Sequence, residues 1–332
     1  MPASNATNDL EQARIQRIAS VLRPAPPSLL RGIGDDAAVV ASRGFAVTSV
    51  DASVDGVHFD RALFSPEHIG YKAAASALSD LAAMGVAAGE IYVALGIPPD
   101  LTDDEFDGVR DGIVAAADDA GAVLAGGDLT SASKLWLAVT VVGWCEHFDS
   151  AIGREGAMAG QIVAVTGELG GAAAGLALVR GTETPALDDH TIAALRARQT
   201  HPRPRHSAGC ALAKSTVSAM IDISDGIAKD AGQIASASGV CLRIELTDLP
   251  LQAGVTEVAG QLGVPVAELS AAGGEDYELL VTLDQAHFAA AKTAVEATGS
   301  SLTKIGVVVS GAGLQLTNGG QPASLTGYRH FG

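Results

Sequence analysis

Basic and aromatic residues are scarce in this 332-residue chain: 21 Lys plus Arg stand against 38 Asp plus Glu, the net charge is -17, and 4% of residues are aromatic. Such an excess of acid repels a phosphate backbone and an anionic lipid face, so nucleic-acid and membrane-surface binding are not expected. Any anionic substrate then needs a bridging cation. Long hydrophobic runs are also missing: Leu135 to Cys145 and Gly170 to Val179 fall well short of the ~18 residues of a membrane span. Residues 1–10 lack the basic start and apolar core of an export signal, and the Asn5-Ala6-Thr7 sequon therefore reads as chance. Cys145, Cys210 and Cys241 form no CxxC pair, which speaks against a zinc site and for a reducing cytoplasm.

What is present is a large apolar fraction, 48%, with 39 glycines, a composition of tight turns and small-residue packing rather than disorder. The length predicts two domains. Periodicity predicts a helix over 9–22, stopped by the Pro24 to Pro27 cluster, then strands at 37–40 and 45–50. A helix capped by Ser65 runs to Met84 and stops at Gly85, followed by a strand at 91–95, a helix at 103–120 and a β-branched strand at 135–145. The second half alternates again, with strands at 162–165, 220–223, 242–246, 277–283 and 305–309 and helices at 171–180, 191–198, 207–218, 226–238 and 285–298. Two α/β domains, 1–150 and 151–332, are the expected parse.

Several motifs mislead. Gly32-Ile33-Gly34-Asp35-Asp36-Ala37 fits the dinucleotide fingerprint, with Asp51 near the ribose spacing, but prolines occupy the place of the preceding strand and two carboxylates would face the pyrophosphate. Lys214-Ser215 lacks the Walker A glycines, and Asp103 to Gly108 imitates a calcium loop with Val114 where the bidentate Glu belongs.

What remains is a series of carboxylates at element ends within two residues of glycine or serine: Asp35, Asp36, Asp51, Asp55, Asp80, Asp128, Asp222, Asp225, Glu275 and Asp276. Any one of them could be a turn or helix cap. Asp80 resists that reading, lying inside an Ala-rich helix with Ser76 on its face, as does Asp222 in an apolar strand with Ser224 on the same side. Oxygen-only clusters of this kind favour Mg2+ shared with substrate phosphates. Gly126-Gly127-Asp128 and Thr166 to Gly171 are either phosphate-approach loops or plain tight turns.

In order along the chain, Gly32 to Ala37, Asp51 with Asp55-Gly-Val-His-Phe59, Ser79 to Gly85, Gly126-Gly-Asp128, Val165-Thr-Gly167, Ile221 to Gly226 and Gly273 to Leu279 resemble the thiamine-monophosphate kinase family, closing with Gly327-Tyr-Arg-His-Phe331. The resemblance implies transfer of the γ-phosphoryl group of ATP to thiamine monophosphate. It also implies the fold of aminoimidazole ribonucleotide synthetase, in which an N-terminal α/β domain binds ATP and metal and dimerises through its sheet, followed by a C-terminal α/β domain. The implied ligands of several Mg2+ ions are Asp35 or Asp36, Ser49, Asp51, Asp80, Asp128, Asp222 and Asp225, with Asp80, Asp128 and Asp222 central to catalysis. The implied ATP contacts are Gly127, Asp128, Arg154 and Ser224, and the implied thiamine-phosphate contacts are His58, Glu275 and Tyr328. Val50, Asp55 and Leu129 depart from the family pattern, where a hydroxyl residue, Glu and Thr are usual. A homodimer follows from the family. Another synthetase of the same superfamily, such as a selenophosphate or aminoimidazole ribonucleotide synthetase or a hydrogenase-maturation protein, is the alternative, and a nonenzymatic acidic metal-binding protein the bland one. No motif offers an activated nucleophile, so direct transfer without a phosphoenzyme is expected.

Overall fold

The computed structural model describes residues 4–328, so Arg329, His330 and Phe331 of the closing motif lie outside the described residues. The chain divides into two compact units, one made of residues through Leu78 and Ala88–Glu146, the other of Ser79–Ala87 and the chain from His147 onward.

The first unit carries α1 (Ser4–Val21), β1 (Leu29–Arg31), β2 (Val39–Val40), β3 (Phe45–Val54), most of α2 (Pro66–Ala83), β4 (Ala88–Ile97), α3 (Asp103–Ala120), β5 (Val123–Ser131) and β6 (Trp136–Cys145). Its sheet has the order β3-β6-β4-β5, with only the β4–β5 pair parallel. A parallel pair needs a crossover, and α3 supplies it. The helix matches its expected span because both ends are written locally: Thr102 and Glu105 form a reciprocal capping box, and Gly121 closes it at φ 71°. The calcium-like Asp103 and Asp104 are therefore the first turn of this helix. α2 and α3 meet backbone to backbone. A Cβ on Gly112 would lie 2.0 Å from the Glu67 carbonyl oxygen, and one on Gly70 would lie 1.9 Å from that of Val109.

The second unit adds β7 (Ile162–Thr166), α4 (Gly171–Val179), α5 (Asp189–Thr200), α6 (His206–Ala213), β8 (Val217–Asp222), α7 (Ile227–Ser238), β9 (Cys241–Glu245), α8 (Val255–Leu262), α9 (Val266–Ala271), β10 (Leu279–Leu283), α10 (Phe288–Glu296), β11 (Leu302–Val309), β12 (Gly313–Asn318) and β13 (Gln321–Ala323). The sheet order is β13-β12-β9-β11-β7-β10-β8, antiparallel except between β12 and β9. Val163, Val165, Ile221 and Leu280 fill one core, while Ile162, Ala164, Met220 and Val281 fill another. Burial on both faces explains why these strands read as unbroken apolar runs.

Three expectations change. The helix expected over 207–218 ends at Ala213, because Thr216 takes a left-handed φ of 57° and Val217 and Ser218 open β8. The strand expected from Tyr277 starts at Leu279, since Glu275 and Tyr277 adopt φ 60° and 50°. Gly126-Gly127-Asp128 lies inside β5 rather than in a loop, with Gly127 so near β4 that a Cβ would meet the Val93 carbonyl oxygen at 2.0 Å.

Candidate active site

In the first unit the Gly32 to Ala37 segment and the Gly126 to Leu129 segment line one cavity of about 770 Å³. Ile15 and Ile18 of α1, Phe106 and Ile113 of α3 and Tyr92 of β4 supply its apolar wall. The size and the mixture of apolar wall with convergent polar groups are those of a small-molecule site. Two motifs separated by some ninety residues thus share one space, and Leu129, the departure after Gly-Gly-Asp, lines it too. Asp35 and Asp36 differ in their freedom. Arg31 Nη1 donates to Asp35 Oδ2 at 2.9 Å and the Asp36 N–H to Asp35 Oδ1 at 2.9 Å, so Asp35 is already engaged in holding its own turn.

Strand alternation puts Ser49 and Asp51 on one face of β3 and Val50, 65% exposed, on the other. Ser76 of α2 donates to Asp51 Oδ2, so the serine expected beside Asp80 serves Asp51 instead. The Val54 N–H donates to His58 Nδ1 at 3.1 Å, which orients the ring at the end of β3. Asp55 accepts from the Arg61 N–H at 3.3 Å, consistent with a loop-fixing carboxylate.

The second unit gathers the remaining motifs around the end of β8. Asp222, 4% exposed, accepts from Ser79 Oγ at 2.7 Å. Burial and the charge of Asp80 push its carboxyl up to about 7, against the opposing pull of Ser79 and Arg154. Asp230, on α7, is a site residue that the motifs do not reveal. Its carboxylate takes the N–H groups of Ser224 at 3.1 Å and Asp225 at 3.0 Å, shaping the Ser-Asp-Gly turn from behind. Burial and the neighbouring Asp222 push Asp230 up to about 7 as well. Asp225 pairs with Lys229 at 2.5 Å, and its carbonyl accepts from the Tyr328 N–H at 3.1 Å, which docks the C-terminal segment on this turn. Arg154 Nη1 reaches Gln233 Oε1 at 2.5 Å.

The Gly273 to Leu279 segment runs beside this turn, Glu275 N–H donating to the Ser224 carbonyl at 2.8 Å and Tyr277 N–H to that of Ile223 at 2.9 Å. Gly274 permits the approach, since a Cβ there would meet Ser224 O at 2.6 Å. Its three carboxylates have separate fates. Asp276 caps α4, accepting from Gly170 N at 2.7 Å and Ala172 N at 3.1 Å. In the Thr166 to Gly171 turn the N–H groups of Gly167, Leu169 and Gly170 are taken by the Ser301 carbonyl, the Pro250 carbonyl and Asp276, so they do not point outward to a phosphate. Glu278 accepts from Thr166, Arg198 and Arg205, and the two guanidiniums hold it below the ordinary carboxylate range although burial opposes this. Glu275 accepts from Gln199 Nε2 at 2.9 Å.

Among the described residues no three His, Cys, Asp or Glu side chains form a cage for a metal ion. Mg2+ does not need one, because it keeps waters and is held by one or two carboxylates together with substrate phosphates. A buried acid raised by its acidic neighbour fits such a cation, whose charge relieves both the burial and the repulsion at Asp222.

Residues 34–145 match the AIR synthase related protein, N-terminal domain, and residues 158–318 match the AIR synthase related protein, C-terminal domain. The chain is 35% identical to a thiamine-monophosphate kinase of Mycobacterium tuberculosis over 315 residues, 93% of this chain and 88% of the relative. Among solved structures it is similar to a thiamine-monophosphate kinase from Stenotrophomonas maltophilia (32% identity, TM-score 0.81, 97% of this chain and 98% of that one). It is also similar to AaThiL complexed with AMPPCP and TMP (29% identity, TM-score 0.76, 86% and 87% covered).

Proposed function

This chain belongs to the thiamine-monophosphate kinase family, and from that premise we propose how its residues carry the reaction, in which the γ-phosphoryl group of ATP passes to thiamine monophosphate to give thiamine diphosphate and ADP. The observation that supports the residue assignment is the first-unit cavity shared by the Gly-Ile-Gly-Asp-Asp and Gly-Gly-Asp motifs. ATP binds there with its base against the apolar wall and its phosphates toward Gly127 and Asp128. The family resemblance assigns Arg154 and Ser224 as ATP contacts and His58, Glu275 and Tyr328 as thiamine-phosphate contacts. Residues 1–150 then act as the nucleotide, metal and dimerisation domain and residues 151–332 as its partner domain. Other synthetases of the superfamily and a nonenzymatic metal binder are not favoured by the relatives.

The carboxylates cannot hold phosphates directly. The donor side chains for several Mg2+ ions are Ser49, Asp51, Asp80, Asp128, Asp222, Asp225 and, of the two neighbours, Asp36, because Asp35 is engaged by Arg31. Bound Mg2+ supplies charge neutralisation and alignment of the two phosphates. The acceptor oxygen is ionised near neutral pH, so no strong general base is required. Ser224 and Asp225 are held through their backbone by Asp230, an arrangement that orients ligands and activates no nucleophile. Incubation with γ-labelled ATP and Mg2+ tests the reaction: label should appear in thiamine diphosphate only when thiamine monophosphate is present. Protein-bound label that forms without it and then chases into product would overturn direct transfer.

The protein is further proposed to be a homodimer. β3 is a ten-residue edge strand with Phe45 and Val50 exposed, and an edge this long and apolar is stable when it pairs with a second copy about a two-fold axis. Light scattering should report a dimer at micromolar concentration, and a monomer throughout that range counts against it. A cytoplasmic location fits three free cysteines, and among the described residues no helix is long and apolar enough to cross a membrane.

A further inference from the structure

Arg154 stands in the irregular segment ahead of β7, and its backbone is fastened on both sides. The Met220 N–H donates to the Gly153 carbonyl at 2.9 Å, and Ser238 Oγ of α7 donates to the Arg154 carbonyl at 3.1 Å. Gly156 packs so close to β8 that a Cβ there would meet the Ser218 carbonyl oxygen at 2.5 Å. The side chain is exposed, yet it too is held, because Nη1 donates to Gln233 Oε1 of α7 at 2.5 Å. Holding a long exposed side chain costs rotamer freedom, and one hydrogen bond at the surface returns little. Stability alone gives small reason for the contact.

The other end of Gln233 supplies a better one. Its Nε2 donates to Asp230 Oδ1 at 3.3 Å, one helical turn earlier, while Asp230 Oδ2 takes the N–H groups of Ser224 and Asp225. The amide fits only one way round. Turned over, it would set its oxygen against the carboxylate and its NH2 group against the guanidinium. One face of α7 thus ties Arg154 to the Ser224-Asp225 turn, through a side chain whose direction both partners fix. A neutral acceptor orients a guanidinium without pairing its charge, and an oriented guanidinium is a fitting donor for phosphate oxygens.

We infer that Gln233 is a positioning residue for ATP, holding the Arg154 guanidinium in register with the Ser224-Asp225 turn so that both meet the nucleotide already ordered. The inference rests on the reading of Arg154 and Ser224 as ATP contacts. Without Gln233 the nucleotide itself must order the arginine, and that cost falls on binding, so KM for ATP rises while kcat holds. Ordering one long side chain on binding corresponds to about fivefold in affinity.

The test is steady-state kinetics at saturating Mg2+ on Gln233→Met, Arg154→Met and the double variant, with thermal melts of each. Gln233→Met keeps the length and removes both hydrogen bonds. It should raise KM for ATP about fivefold, leave kcat and KM for thiamine monophosphate within about twofold, and melt close to the parent, as surface substitutions do. In the Arg154→Met background the same change should add nothing, because the group it positions is gone. If Gln233→Met lacks a cooperative melt, Gln233→Asn keeps the amide but is one methylene too short to reach both partners, and should raise the same KM. Should Arg154→Met raise KM for ATP while neither Gln233 variant does, the role of Gln233 falls and the Arg154 contact stands. Should Arg154→Met leave KM for ATP unchanged, the contact itself falls and the inference with it. Additive effects in the double variant, or equal losses for both substrates, would also overturn it.

Discussion

Asp222→Asn is expected to lower kcat/KM by on the order of 10²–10³-fold, the size of several kcal/mol of lost transition-state charge stabilisation. Asparagine keeps the shape and the hydrogen bond from Ser79 but brings no charge to a cation. The fold should not suffer, and the sign follows from the carboxyl itself. Burial and Asp80 raise it to about 7 in the native protein, above its unfolded value, so the native state favours the protonated acid. Its contribution to stability is full below the ordinary carboxylate range and is lost as the pH rises through about 7. The metal-free parent should therefore melt lower at pH 8 than at pH 5.5 by more than Asp222→Asn does. Mg2+ with a nonhydrolysable ATP analogue should raise the parent's melting temperature chiefly at the higher pH, and the variant's much less. Calorimetry at the two pH values, beside turnover at limiting Mg2+, checks both halves. An Asp222→Asn enzyme with near-parental turnover at limiting Mg2+ would remove Asp222 from the proposed Mg2+ donors.

Glu278→Ala is expected to give the largest loss of stability. Glu278 is fully buried and joins β10 to Thr166 of β7, to Arg198 of α5 and to Arg205 at the start of α6. Removing the acid leaves two partly buried guanidiniums without their carboxylate, and breaking a buried pair in this way costs about 3–5 kcal/mol. For a unit of this size that is a fall in melting temperature on the order of 10 °C. The native acid lies below its unfolded value, so its contribution is present at neutral pH and is lost as the pH falls through the native value. The cost of the substitution should accordingly shrink in acid. Glu278→Gln, which keeps a hydrogen-bond acceptor without the charge, should fall between the two. A Glu278→Ala protein that melts with the parent would show that the arginines find other partners.

Much of this protein is legible from local sequence where the physics is local. Thr102, Glu105 and Gly121 write both ends of α3 within a turn of the helix, and the span follows from them. The apolar run of 135–145 reads as a strand because β-branched residues with both neighbours paired have no other use there. Local signals failed at Thr216, Glu275 and Tyr277, three side-chain-bearing residues with left-handed φ. Such conformations are held by the surrounding structure rather than by the residue's own preference, so no propensity announces them. α8 and α9 escaped for a related reason, being short helices whose apolar faces are defined by α4 and α5 against which they pack.

The sequence by itself determined the chemistry in outline: an acidic chain with ordered Asp and Gly motifs, which leads to the expectation of divalent cations at the phosphates, and a resemblance to a kinase family. It could not assign each carboxylate its partners: Asp35, Asp225 and Glu275 adjoin glycine, Asp222 sits between two isoleucines, and Asp276 and Glu278 flank Tyr277, and none of these neighbours names a donor. Only the tertiary structure decided that Asp276 caps a helix 106 positions earlier, that Ser76 serves Asp51 while Ser79 serves Asp222 across 143 positions, and that Glu278 belongs to two arginines 73 and 80 positions away. The role of a carboxylate is set by which donors lie within about 3 Å of it. Those donors arrive from distant parts of the chain when the sheets close, and so a motif names the acid while the fold assigns its work.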